Sequence, residues 1–164
     1  MVGMLIKFLN NRRNVFIFRW FMLRLIVLLC GFLATVVYAE IIVTDATIRL
    51  LPPSVPNTAA YFSIQNQSDT NQTLVGVTAD FAAKAEIHNH ILVDDMMSMQ
   101  QQSEVVIQPG ESVYFSPGGL HIMLFGLKQP LLEGQSVVFN LQTKEGKSIS
   151  VTANVARPSA HSHH

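Results

Sequence analysis

Two imidazoles and two thioethers follow a sparse pattern along this chain: His88, ten residues, Met99, twenty-one residues, His121, one residue, Met123. The chemistry open to such a set is narrow. Thioether sulfur is a soft ligand, and soft ligands combined with imidazole select Cu(I). Zinc prefers thiolate, imidazole and carboxylate. All four donors are neutral, so a monovalent cation is held without a surplus of buried charge. Thioethers also need no deprotonation and cannot be lost to disulfide formation. In residues 120–125, strand alternation puts Leu120, Ile122 and Leu124 on one face and His121, Met123 and Phe125 on the other. In residues 85–91 it separates Ala85, Ile87, Asn89 and Ile91 from Glu86, His88 and His90. On both strands the histidines turn away from the aliphatic stripe.

Other soft or imidazole donors lie nearby and at the C-terminus. Methionine ordinarily fills gaps in cores, which is the first expectation for Met96 and Met97. Met97 and His90 are also candidate secondary metal donors beside the main set. The chain ends Arg157-Pro158-Ser159-Ala160-His161-Ser162-His163-His164. Cu(II) favours imidazole nitrogen, so His161, His163 and His164 form a candidate secondary Cu(II) site on a flexible tail over residues 157–164.

The elements that must position these residues are short β-branched and aromatic runs. Candidate strands cover 41–49, 58–66, 72–79, 84–92, 97–101, 104–108, 112–115, 120–126, 135–142 and 148–156. Turn residues such as Pro52-Pro53, Pro109-Gly110, Pro117-Gly118-Gly119, Glu133-Gly134 and Glu145-Gly146 punctuate them at spacings suited to hairpins and Greek-key connections. No stretch sustains a capped 3.6-residue apolar period, so no long helix is expected. The pattern predicts an all-β domain over residues 40–156, a Greek-key sandwich or small barrel.

The first 39 residues differ in kind. They hold Lys7, Arg12, Arg13, Arg19 and Arg24 and no acid, followed by an apolar run over residues 25–39 that ends Val37-Tyr38-Ala39. A basic region, a short apolar run and a small-x-small exit form a secretory signal peptide. The run falls short of the ~20 residues a spanning helix needs. An uncleaved anchor and a start at Met22 are the alternatives. Cys30 follows Leu29, where a lipid-anchored cysteine needs a small residue, so it reads as part of the apolar run. After cleavage the chain has no cysteine, and its charges stand at six basic against eleven acidic residues. That balance excludes a nucleic-acid binder, which needs clustered Lys and Arg to displace counterions.

The spacing of the four donors matches the H(M)-x10-M-x21-H-x-M pattern of periplasmic copper chaperones of the PCu(A)C type. The chain resembles that family over about residues 42–155. The stretches Ala59-Ala60-Tyr61-Phe62-Ser63-Ile64-Gln65-Asn66, Glu86-Ile87-His88 and residues 117–127 carry the likeness beside the motif. Asn89 stands where the optional methionine follows the first histidine. The resemblance implies a cupredoxin-like β-barrel that exposes a Cu(I) site of His88, Met99, His121 and Met123. It implies a periplasmic monomer that carries copper toward the dinuclear centre of a haem-copper (cytochrome c) oxidase. The implied partner is an oxidase subunit or another periplasmic copper chaperone, with no stable membrane insertion after signal cleavage.

Two other functions compete with delivery. Blue-copper electron transfer wants a cysteine thiolate at the metal, which the processed chain lacks. Copper storage for tolerance needs the same reversible site as delivery, and sequence alone does not separate them. No serine, histidine and acid stand in a pattern suited to hydrolysis, so the chain is read as a carrier and not an enzyme.

Overall fold

The computed structural model describes Arg19, Trp20, Met22 and Arg24, all helical, together with residues 40–93 and 96–158. The chain divides into two compact units, residues 1–38 and 39–164. No helix among the described residues is long and apolar enough to cross a membrane. The apolar run 25–39 and the tail histidines His161, His163 and His164 lie outside the described residues.

The second unit is built from ten strands: β1 (Ile41–Arg49), β2 (Thr58–Asn66), β3 (Gln72–Thr78), β4 (Ala82–Val93), β5 (Met96–Gln101), β6 (Val105–Ile107), β7 (Ser112–Phe115), β8 (His121–Leu127), β9 (Ser136–Thr143) and β10 (Ser148–Ala156). Each strand read from the sequence is present, with ends displaced by no more than two residues. The hydrogen-bonded order is β5-β4-β8-β2-β1-β10-β9-β3-β6, and β7 attaches to β2. β1 meets β10 in parallel, while the pairings of β4 with β8 and β5, which carry the donors, are antiparallel. β2 divides its length between two partners, Thr58–Ala60 against β8 and Phe62–Gln65 against β7. A bulge between Thr44 and Thr47 lets β1 bend as it passes β2, with Asp45 in the left-handed region at φ 56°.

The core follows from alternation. In β10 every second residue from Val151 through Ala153 to Val155 is buried, and Ile64 on β2 and Leu141 on β9 are fully enclosed. Phe62 stacks on Phe115 at 4.3 Å between ring centroids and meets Phe139 at a tilt at 5.7 Å. Such aromatic pairs add ~0.5–1.5 kcal/mol each beyond the area they bury. Asn66 is a polar side chain fully enclosed in this core, and it is satisfied. Its amide donates to the carbonyls of Thr70 and Ile107, and its oxygen accepts from the Ser68 backbone.

Ile87 on β4 and Ile122 and Leu124 on β8 belong to this core. Their burial locks the face each strand presents and leaves the alternate residues on the outside of the sheet. β5 is different. It ends the strand order, and all six of its residues are exposed. The expectation that Met96 and Met97 fill the core therefore fails: they are 71% and 63% exposed. An edge strand paired on one side only, with no layer packed over it, gives a methionine nothing to fill.

Candidate metal centre

Register brings the four motif residues onto one face of the β5-β4-β8 ribbon. On the β4–β8 pair His88 lies opposite His121 and Glu86 opposite Met123. On the β4–β5 pair His90 lies opposite Met99 and Leu92 opposite Met97. Residues directly opposite share a face, as do residues two apart. Met97, Met99, Glu86, His88, His90, His121 and Met123 thus stand together, and Met96 points the other way. The ring centroids of His88 and His121 are 6.0 Å apart, and His90 stacks on His121 at 5.0 Å and 27°.

Although its face points away from the core, His121 is only 3% exposed. Neighbouring rings cover it: His88 and His90 from β4, and Tyr61 from β2 at 6.5 Å. Burial pushes the His121 pKa below the ordinary imidazole value, against the Gly119 carbonyl, which raises it, and with the neighbouring His90 and His88, which lower it. The ring is neutral at pH 7.

Each imidazole of the motif has one nitrogen committed to an oxygen. His121 Nδ1 is 2.9 Å from the Gly119 carbonyl, which only accepts, so Nδ1 carries the proton and Nε2 keeps its lone pair. His88 Nε2 is 2.9 Å from Glu86 Oε2 and donates to that carboxylate, which leaves the lone pair on Nδ1. That Nδ1 is buried and has no hydrogen-bond partner among the described residues. Lys84 Nζ, 2.6 Å from Glu86 Oε1, and then His88 hold the Glu86 pKa down and keep it a carboxylate. A histidine that donates its second N–H to a carboxylate or backbone carbonyl is the usual state of a metal-binding imidazole. The Gly119 carbonyl is aimed by the tight turn before β8, where Gly118 adopts φ 83° and Gly119 N–H donates to the Ser116 carbonyl. A side chain at Gly118 would be strained there.

The thioethers sit at the open edge of this group. Met123 is partly buried beside Ala59 of β2, and Met99 is 47% exposed. No three His, Cys, Asp or Glu side chains among the described residues are grouped to hold one metal ion. Sequence reasoning placed Glu86 beside His88 without a role for it, and it missed Tyr61 and the Gly119 carbonyl as partners of His121. Glu86 was findable as the acid two residues before a donor histidine; Tyr61 needed the β2–β8 register.

The all-β sandwich matches the fold of PCuAC domains. The apo PCuAC domain from PmoF1 is similar with a TM-score of 0.61 and 22% identity, over 73% of this chain and 96% of that one. The copper-bound PCuAC domain from PmoF2 gives 0.61 and 17%, over 74% and 97%. At these identities the likeness is one of fold. The solution structure of CuI-DR1885 from Deinococcus radiodurans gives 0.58 and 31%, over 70% of this chain and 76% of that one. A family model described as "Putative lipoprotein LpqE-like" matches residues 41–155, and the chain belongs to this LpqE-like family. "Putative lipoprotein Lxx21020" of Leifsonia xyli subsp. xyli (strain CTCB07) is 32% identical over 99 residues, which span 60% of each chain. These likenesses bear out the all-β class and the PCu(A)C resemblance read from the sequence.

Proposed function

We propose that this protein is a copper chaperone of the cell envelope that binds one Cu(I) through His88, Met99, His121 and Met123. It hands the ion on toward the dinuclear copper centre of a haem-copper oxidase, through an oxidase subunit or another periplasmic chaperone, and performs no catalysis of its own. The observation that carries this reading is the state of the two imidazoles. Each has one nitrogen tied to an oxygen and the other left as a donor, on a face that also bears two thioethers. Support comes from the chain's likeness to a copper-bound PCuAC domain and to CuI-DR1885. The test is a Cu(I) titration under reducing conditions followed by transfer to an apo acceptor. One equivalent bound and released to the acceptor is expected; binding without release would make the protein a store.

Export belongs to the same proposal. Residues 1–39 act as a secretory signal, residues 40–156 form the copper-binding domain, and the processed monomer begins at Glu40. The relatives described as lipoproteins raise one alternative, a lipid on Cys30, to which Leu29 is an unsuitable neighbour. Intact mass of the exported protein separates the two N-termini. In the tail, residues 157–164, His161, His163 and His164 bind Cu(II); paramagnetic resonance of full-length and tail-deleted protein tests this, and identical spectra would remove it.

A further inference from the structure

We propose that His90, Met97 and Met99 form an outer Cu(I) station through which the ion enters and leaves the inner set of His88, His121 and Met123, a proposal that rests on the Cu(I) reading above. Met99 belongs to both stations. Three observations carry it.

The first is placement. His90 lies opposite Met99 in the β4–β5 pairing, and Met97, two residues before Met99, projects from the same face. One imidazole and two thioethers thus adjoin the inner imidazoles, with His90 stacked on His121 at 5.0 Å. The near-parallel rings, and the lack among the described residues of any three imidazoles or carboxylates grouped around one point, argue that His90 does not enlarge the inner site. It stands next to that site.

The second is an unpaired atom. His90 Nδ1 is buried without a hydrogen-bond partner among the described residues. Leaving a buried polar group unpaired is unfavourable, and such an atom calls for an explanation. A nitrogen that takes a metal ion in part of its working cycle supplies one.

The third is exposure. His121 is 3% exposed, Met99 47% and Met97 63%, so the donors form a ladder from the covered ring to the rim of the sheet. β5, Met96–Gln101, carries three methionines and no charge. Exposed edge strands are ordinarily guarded by charged residues or proline, so apolar sulfur at this edge runs against ordinary design. Transfer along the ladder needs no other reactant. One dative bond to Cu(I) forms as another breaks, and the ion keeps its oxidation state.

The experiment loads the full chain with Cu(I) and follows its capture by bathocuproine disulfonate in stopped flow, with equilibrium competition in parallel. Met97→Leu removes the sulfur at an exposed site without changing volume, and His90→Phe keeps a ring stacked on His121. For the double variant one equivalent is expected to bind with affinity within about threefold of the parent, while capture slows by ~10-fold, the lower end of what a supporting group at a metal site contributes. Capture at the parent rate overturns the outer station. An affinity loss as large as that of Met99→Leu also overturns it, because His90 and Met97 would then be inner ligands. Failure of the parent chain to bind Cu(I) is a separate result and brings down the functional reading itself.

Discussion

The two faces of strand β8 are built to opposite rules. Inward, Ile122 and Leu124 are fully enclosed in a core that continues through Phe62, Phe115 and Phe139. Outward, His121 and Met123 join His88, His90 and Met99 in a layer of lone pairs, some with no partner among the described residues. The inner face spends every contact on packing. The outer face keeps donors uncommitted, and it can do so because the inner face alone fixes the strand. Stability and metal binding should therefore separate cleanly under mutation.

The largest effect expected on stability lies inward. Phe139→Ala removes a fully buried ring from the aromatic cluster and should cost ~3–5 kcal/mol. Chemical denaturation measures this, and Cu(I) affinity of the folded fraction should not change. A comparable loss of affinity would show that the two faces are coupled.

Next comes the outer face. Met99→Leu combined with Met123→Leu keeps volume and should cost under ~1.5 kcal/mol in folding. Its Cu(I) affinity should fall by more than the ~100-fold that loss of a supporting group causes. Competition with a chromophoric chelator reads this directly, and an unchanged affinity would dismiss the thioethers as ligands.

Glu86 tests the layer behind the donors. Glu86→Ala removes the acceptor that holds His88 Nε2–H and frees the ring to turn, so affinity should fall by ~10–100-fold. Glu86→Gln retains an acceptor without the charge and should fall between parent and Ala. A Glu86→Gln variant as weak as Glu86→Ala would make the charge, not the orientation, the contribution that matters.

What was legible in the sequence maps onto the same division. Alternation reports which residues share a face of one strand, so all ten strands and the outward turn of His88 and His121 could be read from residues alone. Pairing between strands leaves no such local trace. The ring cover over His121 needs Tyr61 and His90 from two other strands, and the loneliness of β5 needs the strand order. Methionine composition pointed Met96 and Met97 inward because methionine is usually buried, but composition does not know which strand is last in the sheet. The likeness to PCu(A)C chaperones rested on spacing, which survives where contacts are invisible.

The smallest effect is the dependence of metal-free stability on pH, and its sign follows from His121. Burial lowers the pKa of this ring in the folded chain relative to its ordinary value of 6.5. Above pH 6.5 the ring is neutral whether the chain is folded or not, and stability is insensitive to it. As pH falls below 6.5 the unfolded chain takes up a proton that the folded chain resists, so stability declines down to the folded pKa and then levels. One proton limits the slope to about 1.4 kcal/mol per pH unit. Glu86, also held below its ordinary value of 4.5, by Lys84 first and then His88, supplies stability that is present above 4.5 and lost only as pH falls through its lower folded value. The two contributions share a sign, stability falling as pH falls, and differ in where they begin: the imidazole's below 6.5 and the carboxylate's below 4.5. The urea midpoint of the metal-free protein should be lower at pH 5.5 than at pH 7.5 at constant m-value, and His121→Gln should flatten the difference. A flat profile in the parent would mean that His121 meets solvent more freely than its cover of three rings implies, and the contrast between the sealed inner face and the open outer one would then begin one residue further out.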